Sequence, residues 1–172
     1  MIIDTRVAHR LVDGGYAERR AACELGAKTL GVSSLRELTP ADLPRAQELL
    51  DDVTFRRVRH VVTENARVLE FVESLIDDSA IGRLMQDSHA SMRDDFEISV
   101  DELDTAVETA IRHGAVGARM TGGGFGGAAI ALTPAAKISE LTNSVYAEFE
   151  LLGYERPNIF TVTAANGGSR VL

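Results

Sequence analysis

The sequence of 172 residues contains a single cysteine, Cys23, and only four histidines. One cysteine excludes an internal disulfide framework and a metal site built from several cysteines, and it fits a reducing cytosol. Cys23 itself is predicted to be a small buried residue on a helix. The histidines His9, His60, His89 and His113 lie far apart and show neither HxH nor HxxxH spacing. The sequence therefore predicts no metal site.

Long hydrophobic runs, linkers rich in Pro, Gly or Ser, internal repeats and low-complexity tracts are all missing. The apolar runs are far shorter than the roughly 20 residues of a membrane-spanning helix, and the opening MIIDTRVAH lacks the features of a signal peptide. With 45% hydrophobic residues, we expect one domain over residues 1–172. The strand-like MIID has no turn or cap before it, so we expect the chain to be part of a longer protein.

Basic charge is scarce relative to acidic charge. Lys and Arg number 18 against 26 for Asp and Glu, which gives a formal net charge of −8. An acidic surface repels phosphate backbones and anionic lipids, so nucleic acid and membrane are not the expected partners. A site for an anionic substrate would need glycine amides or arginines to overcome the negative electrostatic potential of this surface.

The first predicted helix follows the turn DGGY and ends at Gly31. Ala17, Ala21, Leu25 and 27–30 keep helical spacing and should face the core. Helical periodicity recurs along the chain. The next predicted helix is a short one with Thr39 as N-cap, Pro40 at its first position and Asp42 in its first turn. The longest runs from Val53 to about Ile76, and the segment 77–98 continues as a helix into an irregular polar segment. Two more helices run from a Ser99/Glu102 capping box to Gly114 and from Thr133 and Pro134 to about Leu152.

Two of these helices have well-defined apolar faces. The longest places Val58, Val61, Val62, Val68, Leu69, Phe71, Val72 and Leu75 on one broad face, and the helix before Gly114 has a stripe of Leu103, Val107, Ala110 and Ile111. Strands are predicted at 2–6, 115–120, 128–132 and 158–165. Because most helices precede most strands, the order favours an α+β fold in which a small, mainly antiparallel sheet is covered by helices.

The segment TGGGFGG, Thr121 to Gly127, holds five glycines in seven residues and joins two predicted strands. Its glycines satisfy G-x-G-x-x-G, but a dinucleotide site needs a helix directly after the loop and an acidic residue further on, whereas AAIAL reads as a strand. A Walker A loop needs a lysine, which is missing. Two interpretations remain: a plain hairpin connection, or a loop whose backbone approaches a ligand or a second loop. Phe125 is predicted to plug into the core.

Two polar segments are less specific. RRVRH (56–60) lies in a predicted helix, so it is expected to form i,i+4 ion pairs rather than a binding patch. SHASMRDDFE (88–97) is either a solvated connection or a loop that faces a cleft.

Four segments together resemble the C-terminal half of galactokinases, a family of the GHMP kinase superfamily. They are IIDTRVAHRLVDGGYAERRAACE (2–24), RRVRHVVTENARV (56–68), SHASMRDDFEISVDELD (88–104) and GARMTGGGFGGAAIAL (117–132), and the last is similar to the third GHMP motif. In this resemblance Phe96 stands where the family often has tyrosine, so a hydroxyl is lost there.

The resemblance implies a ferredoxin-like GHMP kinase C-terminal domain and ATP- and Mg²⁺-dependent phosphorylation of the 1-hydroxyl of α-D-galactose in the cytoplasm. It assigns Tyr16 to hydrogen bonding with the sugar. It also places the loop Thr121, Gly122, Gly123, Gly124, Phe125, Gly126 and Gly127 beside the sugar and phosphate site, where loops and substrate must meet without side chains between them.

The resemblance also implies that the family's sugar-binding, phosphate-binding and catalytic residues precede this sequence. We therefore expect no catalytic residue and no metal ligand in this chain, and no activity from it alone. Its partners would be galactose, ATP and an N-terminal GHMP domain, with dimerisation through the exposed domain interface as a further expectation. One alternative is a non-catalytic sugar-binding or regulatory module, which should cover its domain-facing apolar residues or dimerise there. Another GHMP kinase is the second alternative, and the galactokinase-like segments disfavour it.

Overall fold

The computed structural model describes residues 1–8, 14–75, 80–163, 165 and 167. The elements in these residues are β1 (Ile2–Asp4), α1 (Gly15–Leu30), α2 (Leu43–Leu49), α3 (Asp52–Ser74), α4 (Ile81–Asp94), α5 (Asp101–Arg112), β2 (Gly117–Thr121), β3 (Ala128–Leu132), α6 (Ile138–Leu152) and β4 (Asn158–Phe160), with short 3-10 turns at 35–37, 40–42 and 135–137.

The strands form an open sheet in the order β2-β3-β1-β4, and every neighbouring pair is antiparallel. Helices α1 to α5 connect β1 to β2, the glycine loop joins β2 to β3, and α6 returns the chain to the edge strand β4. This is the strand order of a ferredoxin-like sheet. The α+β fold with a small antiparallel sheet and covering helices is therefore confirmed.

One face of the sheet carries the main core. Alternation along the strands sends Ile3, Ala118, Met120, Ala129 and Ala131 inward, where they are almost fully buried. They pack against α5 and α6 through Leu103, Val107, Ala110, Leu141, Val145 and Phe149. The predicted stripe of α5 is confirmed, with Ile111 only partly buried at its border.

A second core joins α1, α2 and α3, and it corrects the predicted face of α1. The prediction is confirmed for Ala27 and Leu30, which face this core together with Gly26, and it is wrong for Ala17, Ala21 and Leu25, which are exposed. The reason is Gly26, where a Cβ would collide with the side chain of Val58 on α3. Helices α1 and α3 therefore pack closely at Gly26, and the face of α1 that carries Leu25 points away from α3. Cys23, predicted to be buried, is half-buried on α1, and its burial raises the pKa of the thiol.

Helix α3 is the longest helix of the described residues, as predicted, but its buried hydrophobic residues all lie in its first half. Val58 and Val62 lie in the second core. Val68, Leu69, Val72 and Leu75 expose between 58% and 68% of their surface. The predicted end near Ile76 lies outside the described residues.

Several predicted boundaries differ from the structure. Ser99 does not cap α5: Val100 is the N-cap without a side-chain hydrogen bond, and the Ser99 hydroxyl donates instead to Asp104 Oδ1 at 2.5 Å. Strand β1 ends at Asp4 because Arg6 has a φ of 61°, outside the extended region. β2 begins only at Gly117, α6 begins after the turn at 135–137, and β4 spans Asn158–Phe160 rather than running on to residue 163 and beyond.

The predicted start at Thr39 is confirmed in a modified form. Pro40 opens a 3-10 turn, and the Asp42 carboxylate accepts hydrogen bonds from the backbone N–H and the hydroxyl of Thr39 at 2.8 and 2.9 Å. These contacts lower the pKa of Asp42. Helix α2 follows directly.

Candidate functional site

The glycine loop lies at one end of the sheet and has two distinct halves. Its first half, Thr121 to Gly123, is exposed, and a Cβ added at Gly122 or Gly123 would have no heavy atom within 4 Å. Its second half, Gly124 to Gly127, is packed against the protein. Only the first half is thus free to approach a ligand.

Hydrogen bonds from two directions fix the second half. Phe125 N–H donates to the carbonyl of Ile98 at 2.7 Å, and Gly127 N–H donates to the carbonyl of Val7 at 3.1 Å. The Gly127 carbonyl in turn accepts from the Thr5 amide at 3.0 Å and the Thr5 hydroxyl at 2.7 Å. The second half of the loop is therefore fixed by hydrogen bonds and is not a flexible hairpin connection.

Positive φ angles and close contacts explain the glycines of this half. Gly124 has a φ of 86°, and a Cβ there would lie 2.6 Å from the Ile98 carbonyl oxygen. Gly126 has a φ of 132°, and its Cβ would lie 2.6 Å from the Val7 carbonyl oxygen. L residues with side chains rarely adopt such angles, and neither contact leaves room for one.

Phe125 packs against the main core, so its predicted role as a plug is confirmed. It also meets the start of α1, since a Cβ at Gly15 would lie 2.8 Å from the tip of the Phe125 ring. Tyr16, the next residue, exposes 70% of its surface. The structure thus brings Tyr16 and the glycine loop, predicted from separate parts of the sequence, to the same end of the molecule.

The sheet register brings two further polar residues to this end. Thr121 pairs with Ala128, Ala128 with Asp4, and Asp4 with Asn158. All four lie on the face opposite the main core. Sequence reasoning did not single out Asp4 or Asn158, although the alternation around Ile3 could have placed Asp4 on the outer face.

The arginines of RRVRH contact Asp95 and Glu97, in the connection between α4 and α5, in addition to making the predicted pair within the helix. Arg56 does make the predicted i,i+4 pair with Asp52, at 3.2 Å, but its closer partner is Glu97. Arg57 contacts the Glu97 carboxylate and the Asp95 carbonyl, and Arg59 binds the Asp95 carboxylate. These hydrogen bonds with Arg57 and Arg56 lower the pKa of Glu97.

The segment 88–97 is consequently neither a solvated connection nor a loop facing a cleft. Its first part completes α4, and its last residues form a short connection to α5 that the arginines of α3 hold. Phe96 stacks on the ring of His60, with centroids 4.4 Å apart and planes 20° apart. The Phe96 ring is thus packed against a histidine.

Two buried histidines link the helices to this region. Met120 N–H donates to His89 Nδ1 at 3.2 Å, and Nε2 of the same ring lies 3.1 Å from Asp104 Oδ1. His89 therefore ties the end of β2, just before the glycine loop, to α5. His60 Nδ1 lies 3.0 Å from the Ser91 hydroxyl, and burial lowers the pKa of His60 to about 4.

No cluster of three or more His, Cys, Asp or Glu side chains that could hold a metal ion occurs within residues 1–8, 14–75 and 80–163. His9 lies outside the described residues. In the same part of the chain, no helix is both long and apolar enough to cross a bilayer.

The outer face of the sheet forms an apolar groove of about 970 Å³ with the second half of α3. Val68, Val72 and Leu75 line one side, and Ile130, Leu132 and Val162 line the other. At its floor, the Glu64 carboxylate accepts from the Ser88 hydroxyl at 2.7 Å and pairs with Arg67. A groove of this size with half-exposed aliphatic side chains is typical of a surface that another protein segment covers.

Comparisons with known proteins found a matching family model and similar proteins. The model of the C-terminal domain of GHMP kinases matches residues 70–151. The galactokinase of Streptomyces coelicolor is 48% identical over 100% of this chain and 46% of its own length, and that of Mycobacterium tuberculosis is 44% identical over 98% of this chain and 47% of its own. The chain therefore spans about half the length of these relatives.

Among solved structures, the Lactococcus lactis galactokinase complexed with galactose is similar with a TM-score of 0.85 and 34% identity. The similarity covers 91% of this chain and 42% of that protein.

Proposed function

We propose that the chain belongs to the GHMP kinases and acts as the C-terminal half of a galactokinase, in line with the family model that matches residues 70–151 and with the similar galactokinases. The reaction is ATP-dependent transfer of a phosphoryl group to the 1-hydroxyl of α-D-galactose. This proposal rests on one observation: the exposed Gly122 and Gly123, which carry no side chains, lie at the same end of the fold as the exposed Tyr16. The chain is also similar along its length to about half of several galactokinases.

Tyr16 is proposed to bind the sugar. Its phenol can donate and accept a hydrogen bond at the end of a rigid ring, and the ring can cover an apolar sugar face. A side chain that is 70% exposed at a helix start gains little from folding, which leaves it available for a ligand.

The exposed half of the glycine loop is proposed to lie beside the sugar and the transferred phosphoryl group. Gly122 and Gly123 present backbone without side chains, so two loops and a substrate can come within contact distance there. The anchored half, Gly124 to Gly127, keeps that backbone in place through its bonds to Ile98 and Val7.

ATP would supply the phosphoryl group, and Mg²⁺ would neutralise charge on its phosphate oxygens. The open glycine backbone fits a neighbouring phosphate sterically. Among the residues that the structure describes, no group of three or more acidic, histidine or cysteine side chains could hold the metal. We therefore propose that the Mg²⁺ ligands and the catalytic residue lie in the part of the relatives that this chain does not match. The cytoplasm, where ATP is available, is the proposed location.

The apolar groove is proposed to receive that other part, an N-terminal GHMP domain. Val68, Val72 and Leu75 would each bury aliphatic surface there, at about 25 cal/mol for each Å² removed from water. A second copy of the chain on the same surface, giving a dimer, is the competing occupant.

A non-catalytic sugar-binding or regulatory module is the second candidate function. Such a module should cover its apolar interface or dimerise, and the half-exposed aliphatic side chains of the groove favour the kinase half over it.

The test uses the purified chain alone and the chain co-expressed with the part of the Streptomyces coelicolor galactokinase that it does not match. Each sample is titrated calorimetrically with galactose and with ATP plus Mg²⁺, and a coupled assay follows ADP formation. We expect no turnover by the chain alone and galactose-dependent ADP formation by the pair. Turnover by the chain alone would refute the assignment of catalysis to the other part, and galactose binding without turnover in either sample would favour the regulatory module.

A further inference from the structure

Arg19 on α1 reaches across to the connection between α4 and α5. Its Nε donates to the Phe96 carbonyl at 2.7 Å, and its Nη2 donates to the Glu97 carbonyl at 2.9 Å. Only 15% of its side chain is exposed. The planar guanidinium thus binds two successive carbonyls, a geometry that a lysine ammonium cannot reproduce.

The same connection holds the glycine loop. The next carbonyl along the chain, that of Ile98, accepts the hydrogen bond from Phe125 N–H at 2.7 Å. The Arg19 guanidinium also lies over the Phe125 ring, 5.6 Å from its centroid. Arg19 therefore reaches the loop by two routes, through the connection and through the Phe125 ring.

The connection contains one residue with an unfavourable backbone conformation. Glu97 has a φ of 52°, an angle that is unfavourable for a residue with a side chain. Arg56 and Arg57 of α3 bind its carboxylate, and Arg19 binds its carbonyl. Helices α1 and α3 together thus enforce the conformation that presents the Ile98 carbonyl to the loop.

We propose that Arg19 is a positioning residue, which fixes the separation between Tyr16, one turn before it on α1, and the glycine loop. The inference rests on the proposed function, since it concerns the alignment of the sugar with the phosphate side of the same site. Misplacement of one group against the other lowers the rate even when both groups are intact.

Arg20 provides a matched control. It is the neighbouring arginine on the same helix, its side chain is 70% exposed, and its ion pair is with Glu24 on α1 itself. Removal of Arg20 changes the charge of the chain as removal of Arg19 does, without touching the connection or the loop.

The first experiment measures hydrogen exchange of the Phe125 amide by NMR in the 172-residue chain with Arg19→Ala, Arg19→Lys and Arg20→Ala. We expect exchange to accelerate about tenfold or more in both Arg19 variants, because the Ile98 carbonyl shifts away, and to stay unchanged in Arg20→Ala. Circular dichroism establishes that each variant is folded, and Arg19→Lys is the milder change if Arg19→Ala does not fold. Unchanged Phe125 protection in a folded Arg19 variant would overturn the proposal.

The second experiment measures kcat and KM for galactose in the chain paired with the missing part of the Streptomyces coelicolor enzyme. We expect Arg19→Lys to lower kcat about tenfold or more per folded molecule, and Arg20→Ala to leave it unchanged. A role in stability alone would lower the melting temperature and leave kcat per folded molecule intact, which would overturn the proposal. If the pair with the unchanged chain is inactive, the proposed function fails, and the exchange measurement alone decides whether Arg19 positions the loop.

Discussion

Replacement of Gly124 by alanine should destabilise the chain severely, because the site excludes a side chain in two ways. Its φ of 86° is strained for alanine, and the new Cβ would lie 2.6 Å from the Ile98 carbonyl oxygen, which already accepts the Phe125 amide. Backbone strain of about 1 to 3 kcal/mol adds to an overpacking cost of similar size. We therefore expect a loss of about 2 to 5 kcal/mol in the free energy of unfolding.

The neighbouring glycine gives the control. Gly123 lies outside the left-handed region, and a Cβ there would have no heavy atom within 4 Å. We expect Gly123→Ala to change the free energy of unfolding by less than about 1 kcal/mol, with a small gain from the reduced freedom of the unfolded chain. In the reconstituted kinase, however, the added methyl group lies on the half of the loop proposed to face substrate, so turnover should fall.

The assay is urea unfolding of the two variants and the unchanged chain, followed by circular dichroism, with a thermal scan as a second measure. At this chain length, the expected loss in Gly124→Ala corresponds to a fall in melting temperature of about 5 to 20 °C. Equal stability of Gly123→Ala and Gly124→Ala would refute the division of the loop into an open and an anchored half. Full turnover by Gly123→Ala would refute the assignment of the open half to substrate.

Three further predictions test the sugar contact, the buried histidine and the groove. Tyr16→Phe should leave the melting temperature unchanged, because the side chain is 70% exposed, and should lower kcat/KM for galactose about tenfold in the reconstituted enzyme, which a coupled assay measures. The pKa of His60 is about 4 in the folded chain against an ordinary value of 6.5, so the unfolded state binds more protons between these pH values. The free energy of unfolding should therefore fall by about 3 kcal/mol from pH 7 to 4, as measured by urea unfolding at several pH values. The variant His60→Gln should show a weaker dependence of this free energy on pH. Val72→Asp in the groove should weaken association with the unmatched part of the Streptomyces coelicolor galactokinase, measured by calorimetry, without destabilising the chain alone. Val53→Asp, at a residue 47% exposed on the same helix but outside the groove, should leave that association unchanged.

The sequence predicts best where a feature depends on nearby residues. The stripe of α5, the length of α3 and the plug at Phe125 follow from spacing over a few turns or from one aromatic residue among glycines. The α+β class follows from the order of the elements. These are local patterns, and the structure confirms each of them.

Prediction fails where partners are far apart in the sequence. The exposed face of α1 depends on the approach of Gly26 to Val58, and the role of the polar segment 88–97 depends on Arg57, which is 40 residues from its partner Glu97. Alanines at helical spacing and a run of charges give no sign of such contacts. The shift of the α5 cap from Ser99 to Val100 arises similarly, from a hydroxyl that finds Asp104 instead.

The site was accessible to sequence reasoning in two different ways. The density of glycines between Thr121 and Gly127 is itself unusual, and the structure divides that segment into a held half and an open half. Tyr16 came from family resemblance alone, since an aromatic residue at a helix start carries no functional signal. Arg19 was missed because its role depends on carbonyls that only the fold brings to it.

We propose that this chain supplies the sugar-binding tyrosine and the glycine loop to a galactokinase that a further domain completes. The galactose-dependent turnover of a chimera, in which this chain replaces the matching part of the Streptomyces coelicolor galactokinase, tests this proposal. We expect the chimera to phosphorylate galactose with a kcat within about tenfold of the parent enzyme, and Tyr16→Phe to lower its kcat/KM. A folded chimera without turnover, measured beside an active parent, would show that this chain does not supply a working half of the site.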